Sequence, residues 1–134
     1  MTSGRTNVRR DQQERVAVIT PLGDVDLDHL ADITVAFVQV LSDTATDATL
    51  IDLSEVTFAD STFLNQLITT FSDHTATSRP LVFAGPLHSA VRRLLEVTGT
   101  DAVLPLAATV HTGLEQLRAA AAPTVMRRKP TPGV

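Results

Sequence analysis

Apolar positions along the chain follow two alternating rhythms, short continuous runs and helical repeats. Val16 to Leu22 (VAVITPL) is a β-branched run that predicts a strand, broken by Gly23 and followed by Asp24, Val25 and Asp26. Leu30, Ile33, Phe37 and Leu41 then recur along one helical face, with Asp26 or Asp28 as the candidate cap. Ala48 to Leu53 (ATLIDL) is short and mostly apolar and predicts a central buried strand. Ser54 to Asp60 is a connector with one more short apolar piece. Leu64, Leu67, Ile68 and Phe71 predict a second helix of about four turns, which gives way to the polar stretch Ser72 to Ser78. Leu81 to Ala84 (LVFA) predicts the next strand and Gly85-Pro86 a turn. Val91, Leu94, Leu95 and Thr98 mark a third helix, with Gly99 placed for a left-handed C-cap. Val103 to Leu106 predicts a last strand. Its Pro105 has no N–H to give a ladder, which argues for an edge position. Val110, Leu114, Leu117 and Ala121 predict a final helix, expected to stop at Pro123.

Strand and helix thus alternate, which implies right-handed βαβ crossovers and an α/β fold with a mainly parallel sheet. The 134 residues, 43% of them hydrophobic, fit one domain with a real core. The division expected is a flexible polar arm over residues 1–14, a folded domain over 15–121, and a disordered basic, proline-containing tail over 122–134.

Charge sharpens this picture. Val16 to Ser78 contains no Lys or Arg but ten acidic residues, including Asp24, Asp26, Asp28 and Asp60. Such an acidic body repels phosphates, so nucleic acid is not an expected partner. A basic protein surface is a better match. Cysteine is absent, which excludes disulfides, thiolate metal sites and a cysteine nucleophile. No apolar run approaches the ~18 residues of a membrane span. Met1 to Arg15 lacks the apolar core of a signal peptide. A cytoplasmic protein is expected.

Catalytic signatures are missing as well. There is no GxxxxGK[ST] or GxGxxG phosphate loop, no GxSxG elbow and no HExxH pair. His29 and His74 fall near helix ends, where a solvated histidine is ordinary. Asp52, between Ile51 and Leu53, is expected to anchor a loop through hydrogen bonds. No cofactor, metal or enzymatic reaction is expected.

One junction stands out. In Phe58 to Ile68 (FADSTFLNQLI) a connector runs straight into a helix, with either Asp60 or Ser61 as the N-cap. A phosphate on Ser61 would meet the positive end of the helix dipole. Here the chain resembles the STAS domain of anti-sigma-factor antagonists, over about residues 16 to 120. Gly23-Asp24-Val25-Asp26 is similar to the family's G-E-L-D turn. Leu50 to Ser61 (LIDLSEVTFADS) resembles its central strand, connector and D-S phosphorylation motif. Leu81 to Pro86 (LVFAGP) resembles the next strand and turn, and Ala90 to Leu106 its third helix and last strand.

The resemblance implies a small mixed, mainly parallel sheet with about four helices packed largely on one face. It implies that Ser61 is phosphorylated by a serine kinase that is itself the anti-sigma factor, and that a PP2C-type phosphatase reverses this. The dephosphorylated antagonist would capture the anti-sigma factor and free a sigma factor. Asp24, Asp26, Asp60, Ser61, Thr62 and Phe63 would form the partner surface. Phe63 stands where the family commonly has Gly, and is expected to flank the core or lie on the partner surface, with the surface favoured. Other members implied by the same resemblance are non-phosphorylated scaffolds, lipid-transport subunits and small-ligand-binding modules.

Overall fold

The computed structural model describes residues 7–128. Strands β1 (Val8–Gln13), β2 (Val16–Pro21) and β3 (Gly23–Val25) lead into helix α1 (Leu30–Val40). Strands β4 (Ala48–Asp52) and β5 (Val56–Ala59) precede α2 (Ser61–Ala76). Then come β6 (Leu81–Ala84), α3 (Ser89–Thr98), β7 (Leu106–Ala107) and α4 (Val110–Arg128). The main sheet has the order β1-β2-β4-β6-β7, with β1 antiparallel to β2 and the other pairs parallel. Strands β3 and β5 form a separate parallel ribbon.

Each central strand is buried on both faces, which is why it reads as a continuous apolar run. Ala17, Ile19, Ile51 and Phe83 point into one core with Ile33 and Phe37 of α1, Leu67 of α2 and Leu95 of α3. Val16, Val18, Leu50 and Val82 point the other way, against Leu114 and Leu117 of α4. Three helices therefore share one face and α4 covers the other. Gly113 lets α4 lie close on the sheet: a Cβ there would come within 2.8 Å of Leu50 Cδ1. Gly99 closes α3 at φ 75°, the left-handed cap its position implied.

Three expectations need correction. Residues 8–13 are not a flexible arm but edge strand β1, in register with β2 from Val8↔Pro21 to Gln13↔Val16. As VRRDQQ it is mostly exposed and carries no apolar alternation; its main-chain bonds to β2 hold it. The last strand is Leu106–Ala107, with Val103 exposed in a turn before it. It does lie at the sheet edge, and the Pro105 carbonyl accepts the Phe83 N–H at 2.9 Å. Helix α4 runs past Pro123 to Arg128, since a proline deletes one N–H bond without forbidding the turns that follow. Residues 1–6 and 129–134, parts of the expected arm and tail, lie outside the described residues.

Candidate functional site

The β3–β5 ribbon builds the site. Val25 and Ala59 are paired at its end, so the chain leaves both strands side by side. β3 continues into Asp26 and a single 3-10 turn, Leu27–His29, while β5 continues into Asp60 and α2. The Asp60 N–H also reaches the Val25 carbonyl at 3.4 Å.

Asp60 is the N-cap of α2. Its Oδ1 accepts the N–H of Thr62 at 3.0 Å and of Phe63 at 3.2 Å, and the Thr62 hydroxyl at 2.5 Å. The Thr62 hydroxyl is the foremost reason that the Asp60 carboxyl lies below the usual carboxylate range; the N–H groups of Phe63, Thr62 and Leu27 add to it. An ionised Asp60 thus binds the start of α2 and, through Leu27, the turn after β3. Of the two candidate caps, the structure selects Asp60 and leaves Ser61 as the first helical residue.

Ser61 is exposed, and its hydroxyl makes no hydrogen bond among the described residues. Thr62 is half-buried and its hydroxyl is spent on Asp60. Two neighbouring hydroxyls therefore differ sharply in availability. Asp26 caps the 3-10 turn: its Oδ1 accepts the Asp28 N–H at 3.1 Å and faces His29 Nδ1 at 2.7 Å. Asp24 accepts the Thr57 hydroxyl at 2.6 Å across the ribbon. Asp24, Asp26, Asp60, Ser61 and Thr62 thus gather at one end of the fold.

Phe63 does not join them, which corrects its placement on the partner surface. It is 1% exposed and belongs to the main core, together with Val25, Leu67 and Phe83. Helix α2 buries Phe63, Leu64, Leu67, Thr70 and His74, of which Phe63, Leu67, Thr70 and His74 are spaced i, i+4, i+7 and i+11. Of the expected stripe, Leu64 and Leu67 are buried and Phe71 packs half-buried against the core, but the buried face extends to Phe63 and to the polar Thr70 and His74, and Ile68 is 38% exposed.

The same face buries His74, expected to be solvated. Its Nδ1–H donates to the Thr70 carbonyl at 2.7 Å, and its Nε2 accepts the Thr49 hydroxyl at 2.9 Å. The Thr49 oxygen in turn accepts Arg79 Nε–H at 2.8 Å, and Arg79 further donates to Thr46 and to the Ala48 carbonyl. Burial lowers the His74 pKa, with Arg79 adding to the effect. Asp52 anchors its loop as expected, accepting both the N–H and the hydroxyl of Ser54. Among the described residues no three His, Asp or Glu side chains are placed to hold a metal ion. No helix among them is long and apolar enough to cross a membrane.

Two exposed apolar residues beside the site were not singled out from sequence: Leu27 in the Asp26–His29 turn and Phe58 in β5. The signal for Leu27 was present, an apolar residue between two aspartates in a connector.

The ribbon, the capped helix and the five-stranded sheet match a known family model, "Mlab, STAS domain", over residues 8–106. The chain belongs to the STAS-domain family. Among solved structures, an anti-sigma factor antagonist from Mycobacterium paratuberculosis superposes on this STAS domain with a TM-score of 0.75 at 26% identity, covering 83% of this chain and 92% of that one. A STAS-domain protein from Planctomyces limnophilus gives 0.70 at 20% identity, over 82% and 96%. The Bacillus cell fate determinant SpoIIAA in its phosphorylated form gives 0.63 at 13% identity, over 83% and 99%. At identities this low the last two bear on the fold alone. No curated protein sequence matches the chain.

Proposed function

We propose that this STAS domain is a non-enzymatic, phosphorylation-controlled antagonist of an anti-sigma factor, acting on transcription in a bacterial cytoplasm. The observation that carries the reading is the contrast at the start of α2. The Ser61 hydroxyl is exposed and unengaged, while Thr62 beside it is tied to Asp60. Ser61 also holds the acceptor position of the D-S motif that the family resemblance implies. A structural neighbour supports the partner class, since one at 26% identity is described as an anti-sigma factor antagonist.

The mechanism is local. A phosphate on Ser61 adds about −1.5 to −2 charges beside Asp60 and the Asp26 turn. The N-terminus of α2 tolerates that charge, so the fold persists. A partner packed on this end would have to desolvate the new charge without an assured counter-ion, and binding is lost. The kinase is the anti-sigma factor itself, and a PP2C-type phosphatase resets the switch.

The test uses the host's anti-sigma factor kinase with ATP, followed by mass spectrometry and calorimetry. One phosphate should map to Ser61, persist in Thr62→Val and vanish in Ser61→Ala. Ser61→Asp should melt like the wild type and bind the kinase at least tenfold more weakly. No modification, together with unchanged binding by Ser61→Asp, would sink the reading. It would leave the alternative, a non-phosphorylated scaffold or lipid-transport subunit in which Ser61 is only a helix-start residue.

A further inference from the structure

Beside the Ser61 end lies a groove that the switch does not explain. Phe58 and Ala59 of β5 form one wall, and Ala90, Arg93, Leu94 and Val97 of α3 form the other, around a volume of 410 Å³. Helix α3 buries Val91 and Leu95 on its inner face. Ala90, Leu94 and Val97 recur at i, i+4 and i+7, so the helix has a second, partly apolar face turned to the groove. Val97 is 76% exposed and Phe58 49%. Neighbouring large apolar side chains in an open groove are the kind of surface a partner covers.

Charge narrows the occupant. Arg93 is the one charged residue in the lining, and it pairs with no carboxylate among the described residues. The rest of this end is acidic, with Asp24, Asp26, Asp28 and Asp60. A lysine-rich segment would suit those aspartates but would be repelled within the groove. Phe58 and Ala59 lead without interruption into Asp60 and Ser61, so the groove continues the surface on which the switch acts.

We propose that this groove seats an acidic amphipathic helix of the same partner whose docking Ser61 governs. Aliphatic side chains of that helix lie between Phe58 and Val97, and a carboxylate reaches Arg93. The proposal rests on the reading of Ser61 as a switch, and names the chemistry of the partner segment.

Two synthetic peptides of about 18 residues, long enough for measurable helicity, test it against the isotope-labelled full chain. They share one leucine stripe and differ only in having Glu or Lys on its flanks. The Glu peptide should shift the amides of Phe58, Ala90, Arg93 and Val97, and bind about tenfold tighter than the Lys peptide. Arg93→Glu should invert that preference, and Val97→Asp should abolish binding by both. Both sites are on the surface, so both variants should melt like the wild type. Ser61→Asp should leave peptide affinity within about twofold, because a helix confined to the groove does not cover Ser61. The peptide result therefore stands or falls separately from kinase binding. Four outcomes would overturn the proposal: no binding by either peptide, equal binding by both, shifts centred elsewhere, or a wild-type dimer in sedimentation that Val97→Asp dissolves. The last would assign the groove to a second copy of the chain.

Discussion

Replacing Phe63 by alanine tests the phase of α2 most directly. Its ring is 1% exposed and lies in the core that joins α2 to the sheet. Truncating a buried Phe to Ala costs about 3–5 kcal/mol, as transfer energy plus the cavity left behind. Glycine, the usual family residue here, adds about 1 kcal/mol for its helix penalty. Phe63→Gly should therefore lose about 4–6 kcal/mol, a large share of the ~5–15 kcal/mol that holds a typical domain. Phe63→Leu keeps most of the volume and should lose less than either. Urea unfolding monitored by circular dichroism reads these values. With a slope of ~2 kcal/mol per molar, a loss of ~4 kcal/mol lowers the midpoint by about 2 M. The native Asp60 cap is kept in all three variants, so the cap does not confuse the comparison. A loss below ~1.5 kcal/mol for Phe63→Ala, with partner binding abolished, would refute the core placement and return Phe63 to the surface.

Two further predictions come from the hydrogen bonds. Asp60→Ala removes an N-cap and should cost about 0.5–2 kcal/mol in urea unfolding; Asp60→Asn should recover most of it, and faster amide exchange at Leu27 in Asp60→Ala should report the released turn. His74 is held neutral, with Thr49 and Arg79 at its Nε2 side and Asp73 nearby. Its folded pKa lies below the unfolded 6.5, so the unfolded chain binds the extra proton. Its stabilising contribution is complete above pH 6.5 and declines as pH falls through the folded value. Unfolding free energies measured between pH 7.5 and 5 should fall with a slope of at most ~1.4 kcal/mol per pH unit, and His74→Leu should flatten that slope whatever its own stability. An unchanged slope would show that His74 binds its proton alike in the folded and unfolded chain, and would refute the lowered pKa.

The legible parts of the fold were those where burial writes a pattern. β2, β4 and β6 read as apolar runs because both of their faces are covered. Gly99 and a cap at Asp60 or Ser61 were readable because local backbone chemistry selects those residue types. β1 was illegible: an edge strand of Arg, Asp and Gln is specified by main-chain pairing, which leaves no trace in side-chain periodicity. The phase of α2 was misread for the opposite reason. Thr70 and His74 are polar yet buried: His74 bonds the Thr49 hydroxyl and the Thr70 carbonyl, and the Thr70 hydroxyl lies against His74 Nδ1. A pattern that counts only apolar residues passes over such positions and moves the stripe onto Ile68. Phe63 then fell on the wrong side. At the site, residue identity and spacing located Asp60 and Ser61, but only the hydrogen bonds separate Ser61 from Thr62.

Under the proposed function, that separation would let a phosphate on Ser61 act without refolding the domain. Asp60 does two structural tasks, capping α2 and holding the Leu27 turn, and both use its carboxylate oxygens. Thr62 assists by donating its hydroxyl to the same oxygen. Ser61 takes part in neither task and points to solvent. A charge added to Ser61 would have to break none of these bonds, and the buried ring of Phe63 anchors the helix turn from within. What changes is the outer face alone, already rich in Asp24, Asp26 and Asp28 and lacking Lys and Arg on β3, β5 and the turns that follow them. On the reading proposed above, a surface built this way would convert a phosphate on Ser61 into a change of partner affinity through electrostatics, while stability is secured by neighbours that the phosphate would not touch.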